Sequence, residues 1–154
     1  MARIVWTLPV LALLSGLLSI PAPLEAQDSE EDTPVDTISV LDRVYTEEQA
    51  AEGGDLYQAE CAACHPAADF SGPVFELSWA DRPLWELFQV TAITMPQDQP
   101  GNLTDEEYAA VIAYILEMNN YPHGEDELGF DEDTLSAIML DPPPDHEDGG
   151  PERR

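Results

Sequence analysis

Only two cysteines occur in the chain of 154 residues, and their spacing limits how the fold can be stabilised. They lie three positions apart in the segment Cys61-Ala62-Ala63-Cys64-His65. A disulfide between such close neighbours could not tie distant parts of the chain together. A small domain without such a link must be stabilised by a hydrophobic core or by a bound cofactor.

The pattern Cys-x-x-Cys-His is typical of c-type haem attachment. On a helical turn, a separation of three residues lets both thiols reach one edge of a porphyrin and add to its two vinyl groups as thioethers. The imidazole of His65 follows directly and can meet the iron from one face. We therefore predict one covalently attached haem c, held by Cys61, Cys64 and His65.

The same pattern can arise in three further ways, each of which fits this chain less well. A thiol-disulfide exchange pair would be expected near a strand-helix-strand pattern, which is missing from the sequence. A zinc site could add His123 or His146 to the three residues of the motif. However, three ligands within five residues are a poor tetrahedral set, and zinc ligands usually come in two spaced pairs. A chance occurrence is the third alternative.

The charge of the chain is strongly unbalanced. It has 32 acidic residues against five arginines, no lysine, and a formal net charge of −27. This balance disfavours binding to nucleic acid or to an anionic membrane surface, because both need positive charge. It favours either steering toward a positively charged partner or solubility alone, and both interpretations stay open.

The first residues indicate a signal peptide for export, predicted at residues 1–26. Arg3 gives a short positive start, and residues 4–20 are almost wholly apolar before prolines at positions 21 and 23. The alternative is an uncleaved membrane anchor, because the stretch nearly reaches the roughly 20 residues needed to span a bilayer. Pro9 and the two closing prolines favour cleavage.

Composition divides the remaining chain into three parts. Residues 27–39 are acidic and poor in large apolar side chains, which indicates a solvated linker. Residues 40–123 are predicted to form one compact domain. Residues 124–154 are predicted to be an acidic, proline-rich C-terminal extension, in which residues 131–140 could form a short helix.

The domain is predicted to be all-α, with about three main helices, because no run of alternating strand residues is visible. The first helix begins at Thr46, which fits a capping box with Gln49. The second lies between residues 81 and 91, with Asp81 as its cap. The third begins at Thr104, fits a capping box with Glu107, and ends near residue 119. Irregular loops are expected at residues 66–79 and 95–103.

A second strong ligand on the iron gives an electron carrier, whereas an open position binds or activates small molecules. Met95 is predicted to be this ligand, because it lies in a proline-flanked loop at a suitable distance after the haem motif. The alternative for Met95 is a gap-filling core residue. The other candidates, which are less well placed, are Met118, Met139, His123 and His146.

Taken together, these features resemble a class I (monohaem) cytochrome c over about residues 40–123. Besides the haem motif, the resemblance rests on residues 45–50, Gly53, Tyr57, Gly72-Pro73, Trp79, Thr94-Met95-Pro96, Pro100-Gly101 and residues 103–116. It implies the cytochrome c fold around one covalent haem. It also agrees with an export signal, because this family completes haem attachment outside the cytoplasm in bacteria.

The resemblance also implies roles for single residues. Gly53 would let the first and third helices cross closely. The carbonyl of Pro73 would accept a hydrogen bond from the second ring nitrogen of His65, which fixes the tautomer and strengthens ligation. The haem pocket would be lined by Tyr57, Phe75 and Trp79. Many carriers of this family dock through a ring of lysines, and this chain has none.

These features predict a periplasmic or otherwise exported electron-transfer protein with His65 and Met95 as axial ligands. It is expected to be an electron carrier rather than an enzyme. Its partners would be redox proteins with a basic docking surface, with no nucleic acid and no stable membrane span after signal cleavage. Two alternatives stay open: a dedicated haem subunit of a dehydrogenase complex, or a gas sensor or peroxidase with an open sixth position.

Overall fold

The computed structural model describes residues 36–144, which form five α-helices and one small sheet of three strands. The helices are α1 (Glu47–Leu56), α2 (Gly72–Trp79), α3 (Leu84–Thr94), α4 (Asp105–Met118) and α5 (Glu132–Ala137). The strands are β1 (Ile38–Ser39), β2 (Arg82–Pro83) and β3 (Ile138–Leu140). None of the helices in this range is long and apolar enough to cross a membrane. The predicted signal peptide lies outside the described residues.

The crossing of α1 and α4 forms the centre of the fold. A Cβ atom added to Gly53 would overlap the carbonyl oxygen of Ala110 and lie 2.9 Å from the Val111 nitrogen. The two backbones can approach this closely only because Gly53 has no side chain. The close crossing predicted for Gly53 is therefore confirmed.

The predicted start and end of α4 are also confirmed. The Thr104 hydroxyl accepts a hydrogen bond from the Glu107 nitrogen at 3.2 Å, and the Glu107 carboxylate accepts one from the Thr104 nitrogen at 2.8 Å. At the other end, the buried Asn119 side chain donates to the carbonyls of Ile115 and Phe70 and accepts from the Gly72 nitrogen. Asn119 thus connects the end of α4 to the start of α2.

The prediction of an all-α fold with about three main helices is wrong in part. Helix α2 lies where an irregular loop was expected. Gly72, its first residue, adopts φ +61°, and Pro73 occupies the first turn, where its missing N–H costs nothing. Helix α3 begins at Leu84 rather than near Asp81, because Asp81 has a left-handed φ of +61° and donates its N–H to the Leu140 carbonyl at 2.7 Å.

The small sheet was not predicted either. Strand β3 lies between β1, to which it is parallel, and β2, to which it is antiparallel. Ile38 pairs with Ile138, and Arg82 pairs with Leu140. Strands of two or three residues are too short to show the alternation by which strands are recognised in a sequence.

Part of the predicted C-terminal extension packs into the same core as the helices. Its buried apolar residues are Leu128, Leu135, Ile138 and Leu140. The Gln49 side chain donates to the Leu128 carbonyl at 2.9 Å and accepts from the Leu128 nitrogen at 2.8 Å. Thr46 does cap α1 by accepting from the Gln49 nitrogen, but the predicted capping box is incomplete because the Gln49 amide binds Leu128 instead. The exact domain boundaries stay predictions.

Candidate haem site

The motif Cys61–His65 lies on one turn that follows α1. The chain leaves α1 through a π-helical turn, Tyr57–Cys61, which is closed by a 2.8 Å hydrogen bond from the Ala62 nitrogen to the Tyr57 carbonyl. The nitrogens of Cys64 and His65 then both donate to the Cys61 carbonyl, at 3.1 and 2.9 Å. No disulfide joins the two cysteines; Cys61 is half-buried and Cys64 is exposed.

The environment of the thiols does not suit thiol-disulfide exchange. Burial, and then the negative charge of Glu60, raise the pKa of the Cys61 thiol. Exchange pairs depend on a lowered thiol pKa, often at a helix N-terminus. Here the pair follows the C-terminal end of α1, where the helix dipole disfavours a thiolate. Within residues 36–144, no group of three or more His, Cys, Asp or Glu residues is placed to hold a metal ion.

His65 is held by its backbone and leaves part of its ring accessible. Its carbonyl accepts a hydrogen bond from the Tyr57 hydroxyl at 2.6 Å, and its side chain is 33% exposed. The imidazole lies 5.3 Å from the Phe70 ring, and its Nδ1 lies 3.7 Å from a carboxylate oxygen of Asp69. The ring of Tyr57 in turn packs on Tyr114 of α4, at 5.3 Å between centroids.

Met95 is the first residue after α3, and its side chain is half-buried. Its nitrogen donates to the Thr91 carbonyl at 2.9 Å. Its carbonyl accepts from the Tyr108 hydroxyl at 2.6 Å and from the Gly101 nitrogen at 3.3 Å. No hydrogen bond within residues 36–144 joins Met95 directly to His65, and both are instead connected to aromatic residues of the core.

The other predicted site residues lie in different environments. Tyr57 and Phe75 are each 1% exposed, and Phe75 packs edge-on against Tyr121. Trp79 is half-buried at the end of α2, with the Arg82 guanidinium 4.9 Å from its ring centroid. Pro73 is exposed in the first turn of α2, and no hydrogen bond joins its carbonyl to the His65 ring. Their roles at the haem stay predictions.

The competing ligand candidates lie in regular elements or on the surface. Met118 is the last residue of α4, and Met139 is the middle residue of β3; both are half-buried. His123 is exposed, and its carbonyl is 3.5 Å from a guanidinium nitrogen of Arg43. His146 lies outside the described residues.

Several large apolar side chains of the described residues are exposed. A porphyrin is a wide apolar plane, so its site needs apolar side chains that the polypeptide alone leaves uncovered. Among the described residues, seven large apolar side chains are exposed, and four of them lie between His65 and Met95 in the sequence. These four are Val74, Leu77, Val90 and Ile93, with Leu77 91% exposed. They are exposed apolar side chains of the kind that a bound haem would cover.

Three neighbours of the candidate ligands were not predicted. Asp69 and Phe70 follow His65 by four and five residues, at the end of a short 3₁₀ turn (Ala67–Asp69) that has no clear sequence signal. The sequence does not single out Tyr108 as a neighbour of Met95. A tyrosine at a buried position does carry a signal, because its hydroxyl needs a hydrogen-bond partner.

Comparison with known proteins supports the haem assignment. Residues 48–115 match the family model described as cytochrome C oxidase, cbb3-type, subunit III, which is a c-type cytochrome domain. No curated protein and no solved structure matches the chain. The matched range contains the attachment motif, Met95 and most of α4. The match supports a class I, monohaem cytochrome c domain in this part of the chain, with a covalently bound c-type haem.

Proposed function

We propose that this chain is an exported carrier of single electrons, with His65 and Met95 as the two axial ligands of its haem iron. The observation that carries the proposal is the attachment motif inside a matched cytochrome c domain. Met95 is favoured as the second ligand because it begins a loop, whereas Met118 and Met139 belong to a helix and a strand. A loop residue has more freedom to direct its side chain toward the face opposite His65.

Each group in the site would have a separate task. The thioethers of Cys61 and Cys64 retain the cofactor, and the bound haem supplies an iron that accepts and releases one electron. Ligation by His65 and Met95 would fill both axial positions and leave none open to small molecules. A methionine ligand also raises the reduction potential relative to a second histidine. The site would therefore transfer electrons without transforming a substrate.

The ligand assignment predicts a specific response to Met95→Ala. The purified haem-loaded variant should lose the low-spin, six-coordinate spectrum and bind carbon monoxide rapidly when reduced, because one axial position becomes open. Its reduction potential should fall. Met118→Ala is the matched control, because it removes another half-buried methionine and should leave spectrum, carbon monoxide binding and potential as in the wild type.

A wild-type protein that binds carbon monoxide as fast as Met95→Ala would contradict the carrier function. It would instead support the gas sensor or peroxidase with an open sixth position. If Met118→Ala, rather than Met95→Ala, opens the sixth position, the electron-carrier function stands but the ligand is misassigned.

A second candidate function is that of a haem subunit in a larger redox complex. The matched family model is named for an oxidase subunit, which favours this candidate, and a dehydrogenase is the other enzyme class to consider. Purification under mild conditions distinguishes the two functions. A stoichiometric enzyme that remains bound would support the subunit, whereas a monomeric, freely exchanging haem protein would support the carrier.

Export and docking follow from the charge and the N-terminus. Residues 1–26 would be the export signal, residues 27–39 a linker, residues 40–123 the haem domain and residues 124–154 an extension. The mass of the mature protein tests cleavage after Ala26 and also reports the added haem. A net charge of −27 would attract a partner whose docking surface carries arginine or lysine.

A further inference from the structure

Tyr108 connects the hydrophobic core to the main chain of Met95. The residue is only 2% exposed, and its ring packs edge-on against Phe88 at 6.4 Å. Phe88 is stacked in turn on Trp85, at 5.5 Å between centroids. The capping box of α4 ends one residue before Tyr108, so both the backbone and the ring of Tyr108 are firmly placed. Its hydroxyl is the group that extends from this fixed ring to Met95.

The hydrogen bond from Tyr108 is the shorter of the two that the Met95 carbonyl accepts. The Tyr108 hydroxyl lies 2.6 Å from this carbonyl oxygen, and the Gly101 nitrogen lies 3.3 Å from it. The bond from Gly101 only closes the loop from residue 95 to residue 101 on itself. The bond from Tyr108 is therefore the one that ties the start of this loop to α4.

We propose that Tyr108 is a positioning residue that holds Met95 in reach of the haem iron. This inference rests on the proposed function, in which Met95 is the second axial ligand. A neutral thioether such as that of Met95 is a weak iron ligand and competes poorly with stronger donors for the iron. It competes better when the protein already holds it in place, because less entropy is then lost when it binds. Without the Tyr108 hydroxyl, the loop would move more freely, and an added ligand would displace Met95 more easily.

The test uses the full-length, haem-loaded protein with Tyr108→Phe, which keeps the aromatic ring and removes only the hydroxyl. Imidazole is added to the oxidised protein, and its affinity is measured from the absorption spectrum. The expected result is an affinity about threefold to tenfold higher than in the wild type, the factor that corresponds to one lost hydrogen bond.

Tyr45→Phe is the matched control. Tyr45 is fully buried and donates to the Tyr121 carbonyl, also at 2.6 Å, in a contact that involves neither candidate ligand. Removal of the Tyr45 hydroxyl should lower the denaturation midpoint of the protein about as much as removal of the Tyr108 hydroxyl does. The imidazole affinity of Tyr45→Phe should stay within about twofold of the wild type. A merely structural role of Tyr108 would make the two variants behave alike.

Each result decides the proposal. Equal imidazole affinity in the wild type and Tyr108→Phe would overturn it, and so would an equal gain in Tyr108→Phe and Tyr45→Phe. Met95→Ala distinguishes failure of the ligand assignment from failure of the positioning role. If Met95→Ala binds imidazole no more tightly than the wild type, the ligand assignment fails and the role of Tyr108 fails with it. If Met95→Ala gains affinity while Tyr108→Phe does not, only the positioning role is wrong.

Discussion

At the residue scale, Gln49 joins two distant parts of the chain through a single amide. Its side chain pairs with both main-chain groups of Leu128, at 2.8 and 2.9 Å, and only 8% of the residue is exposed. When a buried main-chain group loses its hydrogen-bond partner, the folded state is destabilised, because the group has given up its bonds to water and receives none in return. Gln49 therefore stabilises the attachment of the C-terminal segment more than it stabilises the start of α1.

We expect Gln49→Ala to lower the free energy of unfolding by about 2 kcal/mol, because the N–H and C=O of Leu128 both lose their partner. Chemical denaturation of the haem-loaded protein measures this change. Glu48→Ala is the neighbouring control; its side chain is exposed, so the expected change is within about 0.5 kcal/mol. Similar losses in the two variants would show that the pairing with Leu128 contributes little.

At the scale of elements, the crossing of α1 and α4 determines where the haem motif lies. Helix α1 leads directly into the turn that carries Cys61, and α4 provides Tyr114, which packs on Tyr57, and Tyr108, which binds Met95. The position of α4 thus affects both candidate ligand residues. The two adjacent glycines of α1 contribute differently to this crossing.

Gly53→Ala should destabilise the protein by at least about 2 kcal/mol, because its new Cβ would meet the backbone of α4, which cannot yield without moving the helix. Gly54→Ala is the internal comparison. Its Cβ would lie 3.2 Å from ring atoms of Tyr114, which can shift slightly, and alanine gains about 1 kcal/mol of helix propensity. Denaturation curves of both variants check the contrast, and a Gly53→Ala protein as stable as Gly54→Ala would refute it.

At the scale of the whole molecule, repulsion between negative charges opposes the folded state. The net charge is −27, and within residues 36–144 one ion pair joins an arginine to a carboxylate, Arg82–Glu86. This pair is exposed enough for solvent to weaken it. Added salt screens both the repulsion among the many carboxylates and the attraction within the few oppositely charged pairs. Because the repulsive contacts are more numerous, salt should stabilise the folded state.

The melting temperature at neutral pH should therefore rise as sodium chloride increases from about 0.01 M to about 0.15 M, over which the Debye length falls from about 30 to about 8 Å. Near the isoelectric point, pI ≈ 4.1, the net charge is close to zero and the same addition of salt should have little effect. Scanning calorimetry at both pH values tests this difference. A melting temperature that falls with salt at neutral pH would show that attractive pairs outweigh the repulsion.

Features that depend on residues close together in the chain could be predicted without knowledge of the fold. The haem motif occupies five consecutive positions, and the capping box of α4 joins residues three apart, so their chemistry does not need the rest of the fold. The close approach at Gly53 was also predictable, because glycine is costly inside a helix without such a reason.

Contacts between distant groups could not be predicted, because they depend on how the elements pack. The amide of Gln49 could have closed a local capping box, but it binds a main chain 79 residues away. Strand β3 pairs with both β1 and β2, although each strand has only two or three residues. The Tyr108 hydroxyl donates a hydrogen bond to the Met95 carbonyl, on the other side of a loop. Each of these contacts depends on the packing of several elements at once, and short-range patterns of residue type carry no information about which partner a buried polar group will reach.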